Sequence, residues 1–370
     1  MENKKRKVLL CSPMNVQGGI TQWTKHIKGY YDSVGGHTID LDFFAMDRSG
    51  YIPEKMSFLK RAVWGLRDYF GLARDLLNKV KYNNSYHIVH LASSASVSLV
   101  KDLYILKRLK RLGVKTVIHF HFGRVPQLFK SQNWEWKLIT RVISLATSVI
   151  VIDKGSYETL LKAGFTNVSL LPNPLSPSVE NLINENSNIK RVDNKILFAG
   201  HVIKTKGVFE LIAACHDIPD IELKLIGKVL PEIEYELRKL WETAKGRLVI
   251  TNNIPFEEVV QEMLSCSLFV LPTYTEGFPN VILESMACSC PIVTTPVGAI
   301  PEMLAIGSNK ECGICVAPQE IEPLKSAILK LLDNKKQAEE YACNAQKRVV
   351  EQYSMAVVWQ ELNVIWEEVL

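Results

Sequence analysis

Twelve short runs rich in Val, Ile and Leu punctuate this chain, and stretches of helical pattern separate most of them. In the first half these are KVLLCSP (7–13), TIDLDFFA (38–45), HIVHLAS (87–93), KTVIHFHF (115–122), SVIVID (148–153) and VSLLP (168–172). In the second half they are KILFAG (195–200), ELKLIG (222–227), RLVIT (247–251), SLFVLP (267–272), PIVTTP (291–296) and GICVAP (313–318). Such nearly continuous apolar runs suit strands covered on both faces. Strands alternating with helices predict a parallel, doubly wound sheet in each half. Helices are expected over 206–215, 231–243, 256–265 and 280–288, and from about 320 to the end, with Ser354 capping a last helix that carries Trp359 and Trp366. The segment 172–194 is dense in Pro, Asn and Ser and has no hydrophobic period, so it reads as the connection between domains. A chain of 370 residues suits two domains. The fold class expected is therefore α/β, with two Rossmann-like doubly wound domains facing a cleft.

Composition excludes several classes. Hydrophobic residues make up 47% and charged residues 22%, which is globular rather than disordered. Lys4, Lys5, Arg6 and Lys7 resemble the start of an export signal, but VLLC is too short an apolar core for one. VISLATSVIVI (142–152) is far short of a membrane span of roughly 20 residues. A cytoplasmic protein is expected, and its eight cysteines then read mostly as small buried hydrophobes. Cys288, Cys290, Cys312 and Cys315 do not read as a zinc site, because Cys288 falls on a helix and no compact ribbon surrounds the pairs.

The most informative stretch is VLPTYTEGFPNVILESMA (270–287), read as strand, loop and helix. In an open parallel sheet, ligands sit beyond the carboxyl ends of strands. Asn280 is a good N-cap, and a helix starting there offers unpaired amides and a positive dipole end to a phosphate. Gly277 lets the backbone approach a ligand and Pro279 fixes the helix entry. Glu284 lies one turn in, roughly 6 Å from the helix start. There an ionised carboxylate can accept both hydroxyls of a ribose diol. Glu276, on the loop, is placed for the hydroxyls of a transferable sugar. The spacing thus suits a nucleotide-diphosphate sugar, with one carboxylate per sugar ring and helix amides for the phosphates. Taken alone, two glutamates eight apart are more often surface residues.

With its neighbours, TEGFPNVILESMACSCPIVTTPVGAIPEM (275–303) resembles the signature of the retaining glycosyltransferases of the GT-B fold, glycosyltransferase group 1 or family 4. PMNVQGGITQ (13–22) is similar to the family's Gly-Gly loop, which implies that Gly18 and Gly19 approach the donor phosphates. IHFHFG (118–123) is similar to the strand end that supplies a histidine, which implies a catalytic role for His121. FAGHVIKTKGVFELI (198–212) is similar to the segment supplying cations to the diphosphate. Lys206 matches the family lysine, but His201 stands where the family commonly has arginine, so Lys206, His201, Lys204 and helix amides would share that task. The resemblance spans essentially the whole chain. It implies an N-terminal acceptor-binding domain over 1–175, a nucleotide-sugar-binding domain over 190–350, and a C-terminal helix, 351–370, packing back on the first. The donor set it implies is Gly18, Gly19, His201, Lys206, Glu276, Gly277, Phe278, Pro279, Asn280, Val281 and Glu284, with Glu276, His121 and Lys206 catalytic.

Cleavage of a sugar–diphosphate bond builds negative charge on the leaving group, and preorganised donors are the strongest lever on it. Lys206 and backbone amides can supply that lever. No Asp-x-Asp reads as lying on a cleft-facing loop, since DLD (40–42) falls inside a strand. No metal and no other cofactor is therefore expected. The resemblance implies retention of anomeric configuration, with Glu276 orienting the donor sugar. His119 shares a strand face with His121 by the period of two. The competing reading of this pair is buried and structural, and His87 and His90 read as structural too.

Charge is unevenly spread. Residues 1–180 carry 26 Lys and Arg against 13 Asp and Glu, and the remainder 18 against 26. The first half therefore faces something anionic. Residues 55–81 hold seven Lys or Arg and two Asp, with an apolar stripe at Leu59, Val63, Leu66, Phe70, Ala73, Leu77 and Val80. One reading is a helix packed on the sheet with a solvated basic face. The other is a membrane-surface helix, which KRLKR (107–111) reinforces. The partners expected are a nucleotide-diphosphate sugar, a glycan or lipid-linked acceptor as in bacterial surface-polysaccharide assembly, and an anionic membrane at its inner face. No nucleic-acid recognition motif is visible. A dehydrogenase lacks its G-x-G-x-x-G here. The alternatives left are a weakly active nucleotide-sugar-binding partner subunit and a GT-B epimerase or phosphorylase.

Overall fold

The computed structural model describes residues 6–16, 18–35, 38–47, 58–83 and 85–370; in the helix Phe58–Tyr82 it describes side chains from Phe70 onward. Lys4 and Lys5 of the basic N-terminal run, and the side chains of 55–69 in the basic segment, lie outside the described residues. The chain forms two compact units, residues 1–172 with 358–370, and residues 173–357.

In the first unit, β1 (Arg6–Ser12), β2 (Ile39–Ala45), β3 (Ile88–Ser93), β4 (Lys115–Phe120), β5 (Ser148–Val151) and β6 (Val168–Leu170) form one sheet in the order β2-β1-β3-β4-β5-β6. Every pairing is parallel. The strand period of two sorts residues by face. Leu9, Cys11, Leu91, Phe120 and Val151 join a core with Leu99, Leu106 and Leu109 of the helix Ser98–Arg111 and Ile139 of the helix Trp134–Ile143. Each such buried side chain contributes about 1.5–3 kcal/mol of transfer free energy. The other face holds His90 and His119, which meet Trp23 of the helix Gly19–Ser33 and Trp366 of the helix Met355–Val369. Trp366 Nε1 donates to His90 Nδ1 at 3.0 Å. Asp42 of the DLD stretch is tied up by the Tyr86 hydroxyl and by Lys79 at 3.0 Å, a structural role.

In the second unit, β7 (Lys195–Ala199), β8 (Glu222–Ile226), β9 (Arg247–Thr251), β10 (Leu268–Leu271), β11 (Ile292–Thr294) and β12 (Ile314–Cys315) take the order β12-β11-β10-β7-β8-β9, again all parallel. All twelve expected strands are present, mostly one to three residues shorter than the apolar runs. In this order β7 lies between β8 and β10: the chain builds outward from β7 through β8 to β9, then returns to lay β10, β11 and β12 on the other side of β7. The crevice beyond the carboxyl ends of β7 and β10 is the position where open α/β sheets hold ligands.

Two local expectations are corrected. Residues 172–194 are not a featureless connection: they contain the helix Pro177–Glu185 and, from Asn173 onward, belong to the second unit. Proline is tolerated in a first helical turn, and Val179 is fully buried, so tertiary packing stabilises a helix that the composition conceals. The helix expected over 206–215 is a 3₁₀ turn, Lys204–Lys206, then Gly207 in the left-handed region at φ 73°, then Val208–Cys215. A Cβ on Gly207 would lie 2.0 Å from the Pro272 carbonyl oxygen, so the break lets two loops touch. Among the described residues no helix is long and apolar enough to cross a membrane.

Candidate active site

Three loops of the second unit lock around Glu276. After β10 the chain runs from Pro272 to Pro279 before the helix Asn280–Ala287. The Tyr274 amide donates to the Thr205 carbonyl at 2.9 Å, which joins this loop to the one after β7. The Ala299 amide, after β11, donates to the Gly277 carbonyl at 2.9 Å, and the Thr295 hydroxyl donates to the Thr273 carbonyl at 2.5 Å. Gly298 has φ +57°, and a Cβ there would come 2.4 Å from the Glu276 carbonyl oxygen. The Glu276 backbone is thus held from both sides. Its carboxylate accepts a hydrogen bond from the Lys206 ammonium, and both side chains are mostly covered. These two residues leave β7 and β10, the strands that flank the crevice.

The helix Asn280–Ala287 begins without a side-chain cap. Asn280, expected as the N-cap, is instead the first helical residue, and Pro279 occupies the cap position. A proline in extended conformation sets the turn, and the Asn280 side chain is used elsewhere, accepting from Asn173 Nδ2 at 3.3 Å. The Ile282 amide bonds back to the Pro279 carbonyl at 3.0 Å, while those of Asn280 and Val281 have no partner among the described residues. Two free N–H groups at the positive end of a helix suit a phosphate. Phe278 is buried and meets Tyr353 at 5.8 Å between ring centroids, so its ring anchors the loop.

Glu284 is half-buried, and its carboxyl has no hydrogen-bond or ion-pair partner among the described residues. Burial pushes its carboxyl up from 4.5 to about 7. A carboxylate that pays for desolvation without an internal partner is suited to an external donor pair. His201 and Lys204 are exposed on the loop after β7.

Gly18, Gly19 and His121 belong to the first unit. Gly18 precedes the helix Gly19–Ser33, and a Cβ added at either glycine would meet nothing within 4 Å. Packing does not demand glycine there. Asp47 accepts from the amides of Met14 at 3.0 Å and Asn15 at 3.1 Å, pinning the loop before them. His121 lies just past β4, and its ring stacks on that of His119 at 3.9 Å and 30°. His119 and His90 are fully buried, and burial, then the neighbouring His121, hold His90 down at about 3 and His119 well below 6.5. His87 Nδ1 accepts from the Lys7 amide at 3.0 Å. His90, His119 and His87 are thus structural, as the second of the two readings of the pair had it for His119.

Sequence reasoning passed over four contributors: Asn173, Gly298, and the hydrogen-bonded pair Tyr274 and Glu210, whose Oη–Oε1 distance is 2.6 Å. Gly298 stood inside the family-like stretch, so a signal existed. Glu210 and Tyr274 also stood inside quoted stretches, 198–212 and 270–287, but their pairing, like that of Asn173 with Asn280, is made only by folding.

The first unit also carries a basic face. Lys107, Arg108, Lys110, Arg111 and Lys115 are exposed, as are Val97, Val100 and Leu112. Ala73, Leu76 and Val80 of the helix Phe58–Tyr82 enter the core, so its described part packs on the domain. Phe70, expected within the buried stripe, is 43% exposed and packs edge-on against Tyr104, over which Arg108 lies.

Residues 179–348 match the family described as Glycosyl transferases group 1. A curated relative, the capsular polysaccharide biosynthesis glycosyltransferase CapM of Staphylococcus aureus, is 27% identical over 245 residues, 65% of this chain. The matched stretch spans 60% of that relative's own length. Among solved structures, sucrose-phosphate synthase from Thermosynechococcus elongatus superposes with TM-score 0.71 at 17% identity, covering 98% of each chain. HepE from Anabaena in complex with UDP superposes with TM-score 0.69 at 16% identity, covering 98% of this chain and all of that one. The second unit thus carries the match to the group 1 glycosyl transferases, and the chain as a whole shares the GT-B fold of these solved structures.

Proposed function

We propose that this protein is a retaining, metal-independent glycosyltransferase that moves a sugar from a nucleotide-diphosphate donor to a glycan or lipid-linked acceptor in surface-polysaccharide assembly. The Lys206–Glu276 pair, beside two free helix amides at the switch point of the second sheet, carries this reading. The donor diphosphate would take the Asn280 and Val281 amides and draw Lys206 away from Glu276. Glu276 would then turn to hydroxyls of the transferred sugar, and Glu284 would accept the ribose diol. As the sugar–oxygen bond breaks, the charge left on the diphosphate meets an ammonium and a helix N-terminus already in place. In a retaining transfer the departing phosphate oxygen would take the acceptor proton as the acceptor oxygen bonds to the anomeric carbon on the same face. CapM supports a capsular or related glycan as product, and HepE, solved with UDP and with UDP-glucose, supports a UDP-sugar as donor.

The exposed cations at 107–111, beside Phe70 and Leu112, support attraction to anionic lipid at the inner face of a membrane. His201 in place of arginine favours one other reading, a weakly active binding subunit. A panel of UDP-, GDP- and ADP-sugars, assayed for nucleotide release with and without EDTA, separates these. Release from one donor class, unchanged by EDTA, is the expected result. Binding without release from any donor supports the subunit, and loss of activity in EDTA refutes metal independence.

A further inference from the structure

We propose that Tyr274 is a positioning residue that holds the Glu210 carboxylate away from Lys206, so that the lysine is shared by Glu276 and the donor diphosphate alone. The proposal rests on the reading of Lys206 as the cation that meets the diphosphate.

Tyr274 makes two cross-connections at once. Its amide donates to the carbonyl of Thr205, the residue before Lys206, and its hydroxyl donates to Glu210 Oε1 at 2.6 Å. It also stands two residues before Glu276 in the same loop. Glu210 lies four residues after Lys206, in the first turn of the helix Val208–Cys215. Its second oxygen, Oε2, is buried and has no hydrogen-bond partner among the described residues. A buried, half-satisfied carboxylate oxygen is costly and is drawn to any cation that can reach it. Two ammonium groups stand close by in sequence, that of Lys204, which is exposed, and that of Lys206, which is nearer and is engaged with Glu276. The Tyr274 hydroxyl is the side-chain contact that holds Glu210 in its present place. Burial, then Glu210 itself, push the phenol up to about 12, so it stays a donor at every working pH.

The consequence is competitive. Donor binding requires Lys206 to exchange one carboxylate for a diphosphate. If Glu210 were released, Lys206 would face a second carboxylate, and the diphosphate would have to displace both. Loss of the Tyr274 hydroxyl should therefore weaken nucleotide binding through charge, and removal of the Glu210 charge should undo the loss. A tyrosine that merely braced the loops would give no such rescue, because Glu210→Gln restores no contact.

The test uses UDP as the probe, by calorimetry on the full chain, with GDP and ADP as alternates. Thermal melts establish that each variant is folded. Tyr274→Phe is expected to weaken binding about tenfold, the loss of one charge-assisted contact, and to raise KM for the donor sugar more than it lowers kcat. The double variant Tyr274→Phe/Glu210→Gln is expected to return to within about threefold of the wild type. Wild-type affinity in Tyr274→Phe overturns the proposal, and so does a double variant as weak as the single one. A wild-type protein that binds none of the three nucleotides overturns the proposed function itself, and this inference with it.

Discussion

The Lys206 ammonium rests on the Glu276 carboxylate, and the bond joins the loops that leave β7 and β10, the two strands flanking the switch point of the second sheet. Each residue satisfies the other. On the proposed function a donor would break this pair, and its two halves would then take separate partners, an anion for the lysine and hydroxyls for the glutamate. The pair therefore stores both recognition groups of the proposed donor site in a neutral, protected form.

Replacing either partner should act on catalysis far more than on stability. Both side chains are mostly covered but neither is fully desolvated, so loss of the pair should cost about 1 kcal/mol. Lys206→Ala removes a donor aimed at the leaving group and should lower kcat by about 10²–10³-fold. Glu276→Ala should lower transfer similarly. Steady-state rates alongside thermal melts check this; wild-type turnover in folded Glu276→Ala would end its assignment.

Glu284 makes nucleotide binding depend on pH. Its carboxyl titrates near 7 in the free protein, and hydroxyl donors favour the ionised form. UDP affinity should therefore fall as pH drops below 7, by at most about tenfold per unit. The folded pKa is raised above the unfolded value of about 4.5, so the folded state binds more protons between the two. The contribution of Glu284 to stability is therefore greatest below 4.5 and declines as pH rises through 7. Glu284→Gln should raise Tm at pH 8, lose that gain below pH 4.5, and bind UDP weakly with no slope across the window.

Gly298→Ala should disable the site without touching a proposed ligand-contacting side chain. The new Cβ would lie 2.4 Å from the Glu276 carbonyl, and φ +57° adds backbone strain. The Glu276 loop must shift, so transfer should fall by at least about tenfold while the sheet survives. Activity with circular dichroism reads both effects.

The buried histidines should make the first unit acid-labile. The folded pKa of His90 is about 3 and that of His119 is also well below the unfolded 6.5. For a base with a lowered pKa, stability is fully present above 6.5 and is lost as pH falls from 6.5 toward 3. His119→Phe, which also removes two ring nitrogens with no hydrogen-bond partner among the described residues, should shallow that loss, read as urea midpoints between pH 7 and 4.

Charge reversal at Lys107, Arg108, Lys110 and Arg111 should abolish sedimentation with anionic vesicles at low salt and leave neutral vesicles unaffected. Donor hydrolysis by the variant should stay at the wild-type level. Equal sedimentation with both vesicle types would remove the membrane from the account.

The strands, the two doubly wound units and the stretch around Glu276 were legible in the sequence because each is written locally. An apolar run, a helix-starting turn and a carboxylate one turn into a helix all depend on neighbours in the chain. The helix Pro177–Glu185 was passed over although Val179, Leu182 and Ile183 stand at helical spacing, because so short a period is masked by the surrounding Pro, Asn and Ser. Nor was the partnership of Lys206 with Glu276, of Tyr274 with Glu210, or of Asn173 with Asn280. Each joins residues 64 to 107 apart, and no local pattern encodes such a distance. The order in which the strands assemble, with β7 beside β10, brought the loops together. The site's residues were fixed by sequence, and their pairing by the topology of the sheet.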